Sequence, residues 1–310
     1  MHRFLIKTLS FTLISCLLIA VVVLVPGLVI NKFSKFRINK NNTIAIFGHS
    51  HSECAYNDSL ISQSINLSHS AESYFYTFQK VKMYLSQNPQ ISTVLVEFSN
   101  NQIATKMDDW TWGYTYMSNM FPQYASFMDV SDWEVLARHN SKYFMNCVGI
   151  AARTNLGRTF SFNYDFTGKT GGYLKIDTDK HIRASDVANM KPQTMAGKDS
   201  ISTVNIQYLR KIVDYCKSKH KNIFLIRSPQ HPLYEYLDNE ATFSSVRKQN
   251  FSDVEFLDFN NFPLNPDEFA DLGHLNFKGA SRYSAYINQR ILNGMLKTGS
   301  TASLNKIDTK

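Results

Sequence analysis

The chain has 310 residues, 13% of them aromatic and 44% hydrophobic, which is enough to bury a sizeable core and excludes a disordered chain. Of its formal net charge of +8, most lies in the first 40 residues, which hold Arg3, Lys7, Lys32, Lys35, Arg37 and Lys40 and no acid; the remainder has 27 bases against 25 acids. A basic excess placed beside an apolar segment suits phospholipid headgroups and argues against nucleic acid as a partner.

That apolar segment is residues 8–31, a run of 24 without a charge that includes "LLIAVVVLVPGLVI". About 20 such residues span a bilayer core as a helix. A cleaved signal peptide has a shorter apolar region closed by a small-x-small site, whereas this run continues to Ile30 and meets Asn31-Lys32. The expectation is an uncleaved single-pass anchor over residues 1–31. Four bases follow the segment and two precede it, so the charge rule alone would leave the C-terminal domain in the cytoplasm; long domains, however, translocate largely regardless of flanking charge.

Residues 32–42 read as a short basic and polar linker. From 43 onward, apolar runs alternate with amphipathic stretches. Strands are expected at 43–47, 93–98 ("TVLVEF"), 222–226 ("NIFLI") and 254–259 ("VEFLDF"), each apolar as in strands buried on both faces. Helices are expected at 71–85, 206–218 and 278–296, from apolar residues recurring three and four apart. This alternation predicts an α/β domain over 43–297 with a parallel sheet and right-handed crossovers. Residues from about 102 to 200 show no convincing strand. Their first half is aromatic (Trp110, Trp112, Tyr114, Tyr116, Phe121) and their second half polar ("TGKTGGYLK"), as expected of a helical and loop insertion over the sheet edge. The tail, 298–310, is polar and expected to be flexible. Cys16, Cys54, Cys147 and Cys216 form no CxxC pair and no metal-like spacing with histidine, so free thiols are expected, with no metal and no cofactor.

Three short stretches carry groups that acyl transfer requires. In "FADLGHLNFKGA", Asp271 stands three residues before His274 on a turn ahead of a helix. There a carboxylate can fix an imidazole's tautomer and orientation; a helix-capping Asp beside a surface His is the plainer reading. In "IAIFGHSHSEC", Ser50 follows a strand end two residues past Gly48, at the edge where α/β sheets bind ligands. The plainer reading is a polar loop whose serine caps a helix. In "VLVEFSNNQ", Asn100 and Asn101 close the second strand, where an amide can donate to a developing oxyanion; asparagine is also a common loop residue. It is the conjunction of the three that points to chemistry.

With these residues the chain resembles the SGNH/GDSL hydrolase superfamily over about 43–101 and 201–297. Gly48-His49-Ser50 matches that family's Gly-Asp-Ser block, Phe98-Ser99-Asn100-Asn101 its Gly-x-Asn-Asp block, and Asp271 and His274 its late Asp-x-x-His block. The resemblance implies a flavodoxin-like three-layer α/β/α fold. It also implies Ser50 as nucleophile, His274 as base, Asp271 as its orienting acid, and an oxyanion hole built from Asn100 and a backbone N–H near Ser68 or Ser70. Three departures stand out. His49 replaces an aspartate, Phe98 and Asn101 replace a glycine and an acid, and no glycine lies between Gly48 and Gly113 to serve as the second-block donor, a place taken here by Ser70.

Anchored members of the superfamily often add or remove acyl esters on cell-envelope polymers. The resemblance therefore implies a membrane-anchored serine esterase or O-acyltransferase with an extracytoplasmic domain, whose substrate is an acyl ester or glycan. The second reading is a non-catalytic SGNH-like domain that binds a glycan or partner during envelope-polymer assembly. A phosphate-binding flavodoxin-like protein would need a Gly-rich loop, which is missing.

Overall fold

The computed structural model describes residues 1–183 and 200–297. The expected flexible tail and part of the insertion's polar half lie outside the described residues. Four of the apolar runs form strands where expected: β1 (Ile44–Phe47), β3 (Thr93–Glu97), β4 (Asn222–Arg227) and β5 (Glu255–Asp258). A fifth, β2 (Ser64–Asn66), was not foreseen, because three residues reading Ser-Ile-Asn carry no apolar signal. All pair in parallel in the order β2-β1-β3-β4-β5, a flavodoxin-like sheet. The chain leaves β1 toward β2 on one side and later returns to β3 on the other. This reversal puts the loops after β1 and β3 at the switch point, where α/β sheets open a crevice.

Helices cover both faces. One face buries Ala45, Phe47, Val94, Val96 and Leu225 under α3 (Tyr74–Gln87) and α7 (Thr203–Ser218). The other buries Ile44, Ile46, Leu95 and Ile226 under α9 (Phe277–Leu292), which supplies Ala280, Tyr283 and Ile287. Helix α2 (Ser50–Ala55) precedes α3 in sequence, and α8 (Glu240–Asn250) lies between α7 and α9. Successive strand residues thus feed opposite cores, the reason the runs are apolar throughout rather than alternating.

The insertion leaves the sheet at Ala104 and returns at Ile201, where the two residues pair in an antiparallel bridge. It contributes α4 (Lys106–Trp112), α5 (Tyr114–Tyr124) and α6 (Val130–Phe160). Its aromatic residues are largely core: Phe121, Tyr124 and Phe127 are buried, and Phe121 packs edge-on against Trp133 and Phe144. Helix α6 is interrupted at Asn140 (φ −152°, ψ 65°), whose side chain donates to the Trp112 carbonyl.

The apolar N-terminal segment is one long helix, α1 (His2–Phe33). It runs past the expected end of the anchor, and residues 34–42 are docked rather than a free linker. Phe36 is wholly buried, stacked on Phe166 at 5.0 Å, and the N–H groups of Phe36 and Ile38 donate to Gln87 and Asn88. Apolar residues alternating with Lys35 and Arg37 let one edge of this segment bury while the other stays wet.

Candidate active site

Strand β1 ends against β3 at Gly48. A Cβ there would stand 2.5 Å from the Glu97 Cβ and 2.3 Å from the Ser52 Oγ, so the turn into α2 needs glycine. His49 then caps α2, its Nδ1 accepting from the His51 N–H at 3.3 Å. That is the work a short acceptor side chain does at a helix start, and it accounts physically for a histidine where an aspartate was expected. Ser50 follows as the first residue of α2 and is half-buried.

The loop before α9 brings Asp271 and His274 to Ser50. The Ser50 Oγ lies 2.7 Å from His274 Nε2, and His274 Nδ1 lies 2.8 and 2.9 Å from the two oxygens of Asp271. Asp271 also accepts the N–H groups of Gly273 (2.8 Å) and His274 (3.0 Å). Burial works to raise its carboxyl, but His274 and these two N–H groups hold it below the ordinary aspartate value. An ionised Asp271 draws the imidazole proton to Nδ1 and turns the Nε2 lone pair toward the Ser50 hydroxyl. Ser52, by contrast, is fully buried, and its hydroxyl bonds the His49 carbonyl at 3.1 Å and Ser68 at 2.9 Å.

Two further histidines flank His274. His51 packs edge-on against it with ring centroids 5.3 Å apart, and against Tyr234 at 5.4 Å. Gln230 donates to His51 Nδ1 at 2.8 Å. Burial lowers His49 to about 3 and His51 well below the histidine range, with the nearby rings adding to both. Both rings therefore stay neutral at pH 7. A cavity of about 390 Å³ borders Gln230, Pro232, Leu237, Asn260, Phe262 and Phe269.

The structure does not leave Asn100 free to act as oxyanion donor. Its two amide hydrogens go to Asn239 (3.1 Å) and Glu240 (2.9 Å), and its oxygen accepts from Arg227 at 2.8 Å. An amide has two hydrogens, so no donor remains. Its neighbour differs. The Asn101 oxygen accepts from the Ser99 hydroxyl at 2.9 Å, and Ser99 in turn lies 3.4 Å from His49 Nε2. The Asn101 amide hydrogens meet no acceptor among the described residues, though the residue is only 4% exposed.

Ser70 lies in the loop after β2, and its hydroxyl bonds Glu53 of α2. The residue in left-handed backbone is the next one, Ala71, with φ of 58°. That conformation favours glycine and costs another residue about 1 kcal/mol or more. Of the insertion aromatics, Trp110 stands edge-on to His49 at 5.7 Å and near Tyr116 at 6.0 Å. Trp112 instead stacks on His139 and Tyr114 on Tyr143, both facing α6. No group of three metal-ligating side chains converges among the described residues. The sequence sets Asn100 and Asn101 side by side as amide donors and gives the role to Asn100; Ser99, His51 and Gln230 it does not single out. A faint signal is present at the asparagine pair: Ser99 and Gln102 form a capping box, which starts a turn at Asn100 and leaves Asn101 one residue inside it.

One protein-family model matches residues 172–296, less than half of the chain and the part that carries Asp271 and His274. No curated protein matches the sequence. Among solved structures, the chain is similar to a protein described as an acylhydrolase from Bacteroides fragilis, with 10% identity and a TM-score of 0.40 over 86% of this chain and 94% of that one. It is also similar to a GDSL-like lipase from Bacteroides thetaiotaomicron, with 9% identity and a TM-score of 0.38 over 85% and 94% of the two chains. A psychrotrophic esterase from Pseudoalteromonas follows, with 11% identity and a TM-score of 0.34 over 82% and 96%.

Proposed function

We propose that this chain is a membrane-anchored serine esterase or O-acyltransferase of the SGNH type. One observation carries the reading: an unbroken series of hydrogen bonds from Asp271 through His274 to the half-buried hydroxyl of Ser50. Ser50 Oγ attacks an ester carbonyl while His274 Nε2 takes its proton, and Asp271 stabilises the imidazolium so formed. The oxyanion is met by the Ser50 N–H, by an N–H at Ser70 or Ala71, and by the Asn101 amide in place of Asn100. Collapse breaks the ester C–O bond, and the departing alkoxide takes from His274 the proton that came from Ser50. Water or a sugar hydroxyl then attacks the acyl-Ser50, giving hydrolysis or transfer.

The substrate class we propose is acyl, chiefly acetyl, esters of a cell-envelope polysaccharide or related glycan. The anchor supports it, as does the aromatic edge formed by Trp110, Tyr116 and Tyr234 near the cluster, where sugar rings can stack. The domain then lies outside the cytoplasm. A membrane-impermeant fluorophosphonate applied to intact cells tests chemistry and topology together. Labelling of the wild type, lost in Ser50→Ala and retained in Ser52→Ala, is the expected result. Labelling only after lysis would place the domain in the cytoplasm. No labelling in either case, with a known serine esterase labelled alongside, would favour a glycan-binding domain without catalysis.

A further inference from the structure

Helix α1 does not simply project from the domain. Pro26 and Ile30 are buried where α1 packs on the insertion, and a Cβ at Gly27 would make ordinary contact with Ser126 (3.7 Å) and Asn155 (3.9 Å). Beside this contact a groove of about 400 Å³ opens between α1 and α6, walled by Val23, Leu24 and Leu28 on one side and Val148, Ala151 and Ala152 on the other. Asn155 also lines it. It is 4% exposed, its amide donates to Ser126 at 3.2 Å, and its oxygen has no partner.

The depth of the groove follows from the sequence. Its α1 wall runs from Val23 to Asn31, the last third of the uncharged run, so it begins within the hydrocarbon and rises about 12 Å toward the headgroups. The solvent at its mouth is therefore lipid, not water. Around the upper end, side chains of the kind that sit at a membrane interface are exposed: Phe160 (79%) and Phe162 (80%), with the Phe33 ring 5.8 Å from that of Tyr164. Charge agrees. Arg153 and Arg158 lie toward the end of α6, and Lys32, Lys35, Arg37 and Lys40 at and just past the end of α1, while Arg138 farther back on α6 is ion-paired with Glu134. A domain whose anchor were only a tether would have no reason to gather bases and exposed phenylalanines at this one end.

We infer that the groove between α1 and α6 holds an acyl chain of an anionic phospholipid, whose headgroup meets the basic residues above it. The insertion is then a second membrane-binding element that fixes how the domain sits on the bilayer. The inference rests on α1 crossing the membrane and is independent of the ester chemistry.

The test uses the full chain in lipid nanodiscs of phosphatidylglycerol or phosphatidylcholine, each containing a trace of the same lipid with a diazirine midway along one acyl chain. After irradiation, adducts are mapped by mass spectrometry. Adducts on residues 148–155 and 125–128 are expected in phosphatidylglycerol, and fewer in phosphatidylcholine by about fivefold for each base engaged. Ala152→Trp, which fills the groove, removes those adducts while leaving the ones on residues 9–19 of α1. Arg153→Glu, on the exposed side of α6, reduces the preference for phosphatidylglycerol without blocking the groove. Adducts confined to residues 9–19 in both lipids, or adducts on α6 unchanged by both substitutions, overturn the inference. Release of the chain from membranes by alkaline carbonate overturns it at its premise, that α1 spans the bilayer.

Discussion

At the scale of single residues, hydrogen-bond capacity decides between the two asparagines after β3. Asn100 is spent on Arg227, Asn239 and Glu240, while Asn101 is held by its oxygen alone and keeps its donors. His49 helps set this. With Nδ1 accepting at the cap of α2, its proton sits on Nε2 and faces Ser99, which then turns its own hydrogen toward Asn101. Asn101→Ala is expected to lower kcat on an acyl ester by about 10²- to 10³-fold, the loss seen when one oxyanion donor is removed. Asn100→Ala should instead act on stability, by roughly 1–3 kcal/mol from unpaired buried partners. Steady-state kinetics with chemical denaturation of both variants separates the two; a kcat collapse in Asn100→Ala with Asn101→Ala unaffected would reverse the assignment. The sequence placed this pair correctly at a strand end. It could not show that Arg227 and Glu240, more than a hundred residues away, would claim the first asparagine.

Among the elements, the loop from Leu67 to Glu72 is clasped from two sides. Inside, Lys80 of α3 bonds the Leu67 carbonyl and the Glu72 carboxylate, both at 2.8 Å, with lysine and glutamate side chains wholly buried. Thr77 and Tyr124 satisfy the remaining carboxylate positions at 3.0 Å. Outside, Gly171 (φ 140°) lies so close that a Cβ would stand 2.3 Å from the Ser68 carbonyl, and the Gly172 N–H donates to that same oxygen at 3.0 Å. The "TGKTGGYLK" stretch, without periodicity in the sequence, is thus a strap across the loop that carries Ser70 and Ala71. Removing one member of a buried ion pair leaves the other charge uncompensated, which costs about 3–5 kcal/mol. Lys80→Met should lose that much stability, and Lys80→Met with Glu72→Leu should lose less than Lys80→Met alone. A denaturation midpoint for the single variant equal to wild type would mean the pair does not hold the loop. Strands β1, β3, β4 and β5 and helices α3, α7 and α9 were legible because burial on two faces or on one stripe leaves a periodic trace. Strand β2, the strap and the docked residues 34–42 were not, since their order comes from backbone hydrogen bonds and from single residues such as Phe36 and Gly171.

Across the whole molecule, one buried acid ties the sheet to the pH of the surroundings. Glu97 ends β3 at the centre of the sheet with none of its surface exposed, its carboxylate accepting from the Ser228 N–H at 3.1 Å and from its hydroxyl at 2.5 Å. Burial raises its carboxyl to about 7, outweighing the two Ser228 bonds and the Arg227 charge, which pull the other way. In the unfolded chain the same group titrates near 4.5. Between these values the folded state binds the extra proton, so folding stability from this group is complete below about 4.5 and is lost as pH rises through about 7. The difference corresponds to something on the order of 3 kcal/mol. Helices on both faces and the turn at Gly48 depend on that strand end, so the loss is felt by the whole domain rather than by one loop. Glu97→Gln keeps the shape and removes the titration. Urea denaturation between pH 4.5 and pH 8 should show wild-type stability falling relative to Glu97→Gln, with the gap widening most between about 4.5 and about 7 and levelling off above that; parallel curves across that range would mean Glu97 is ionised in the folded protein throughout.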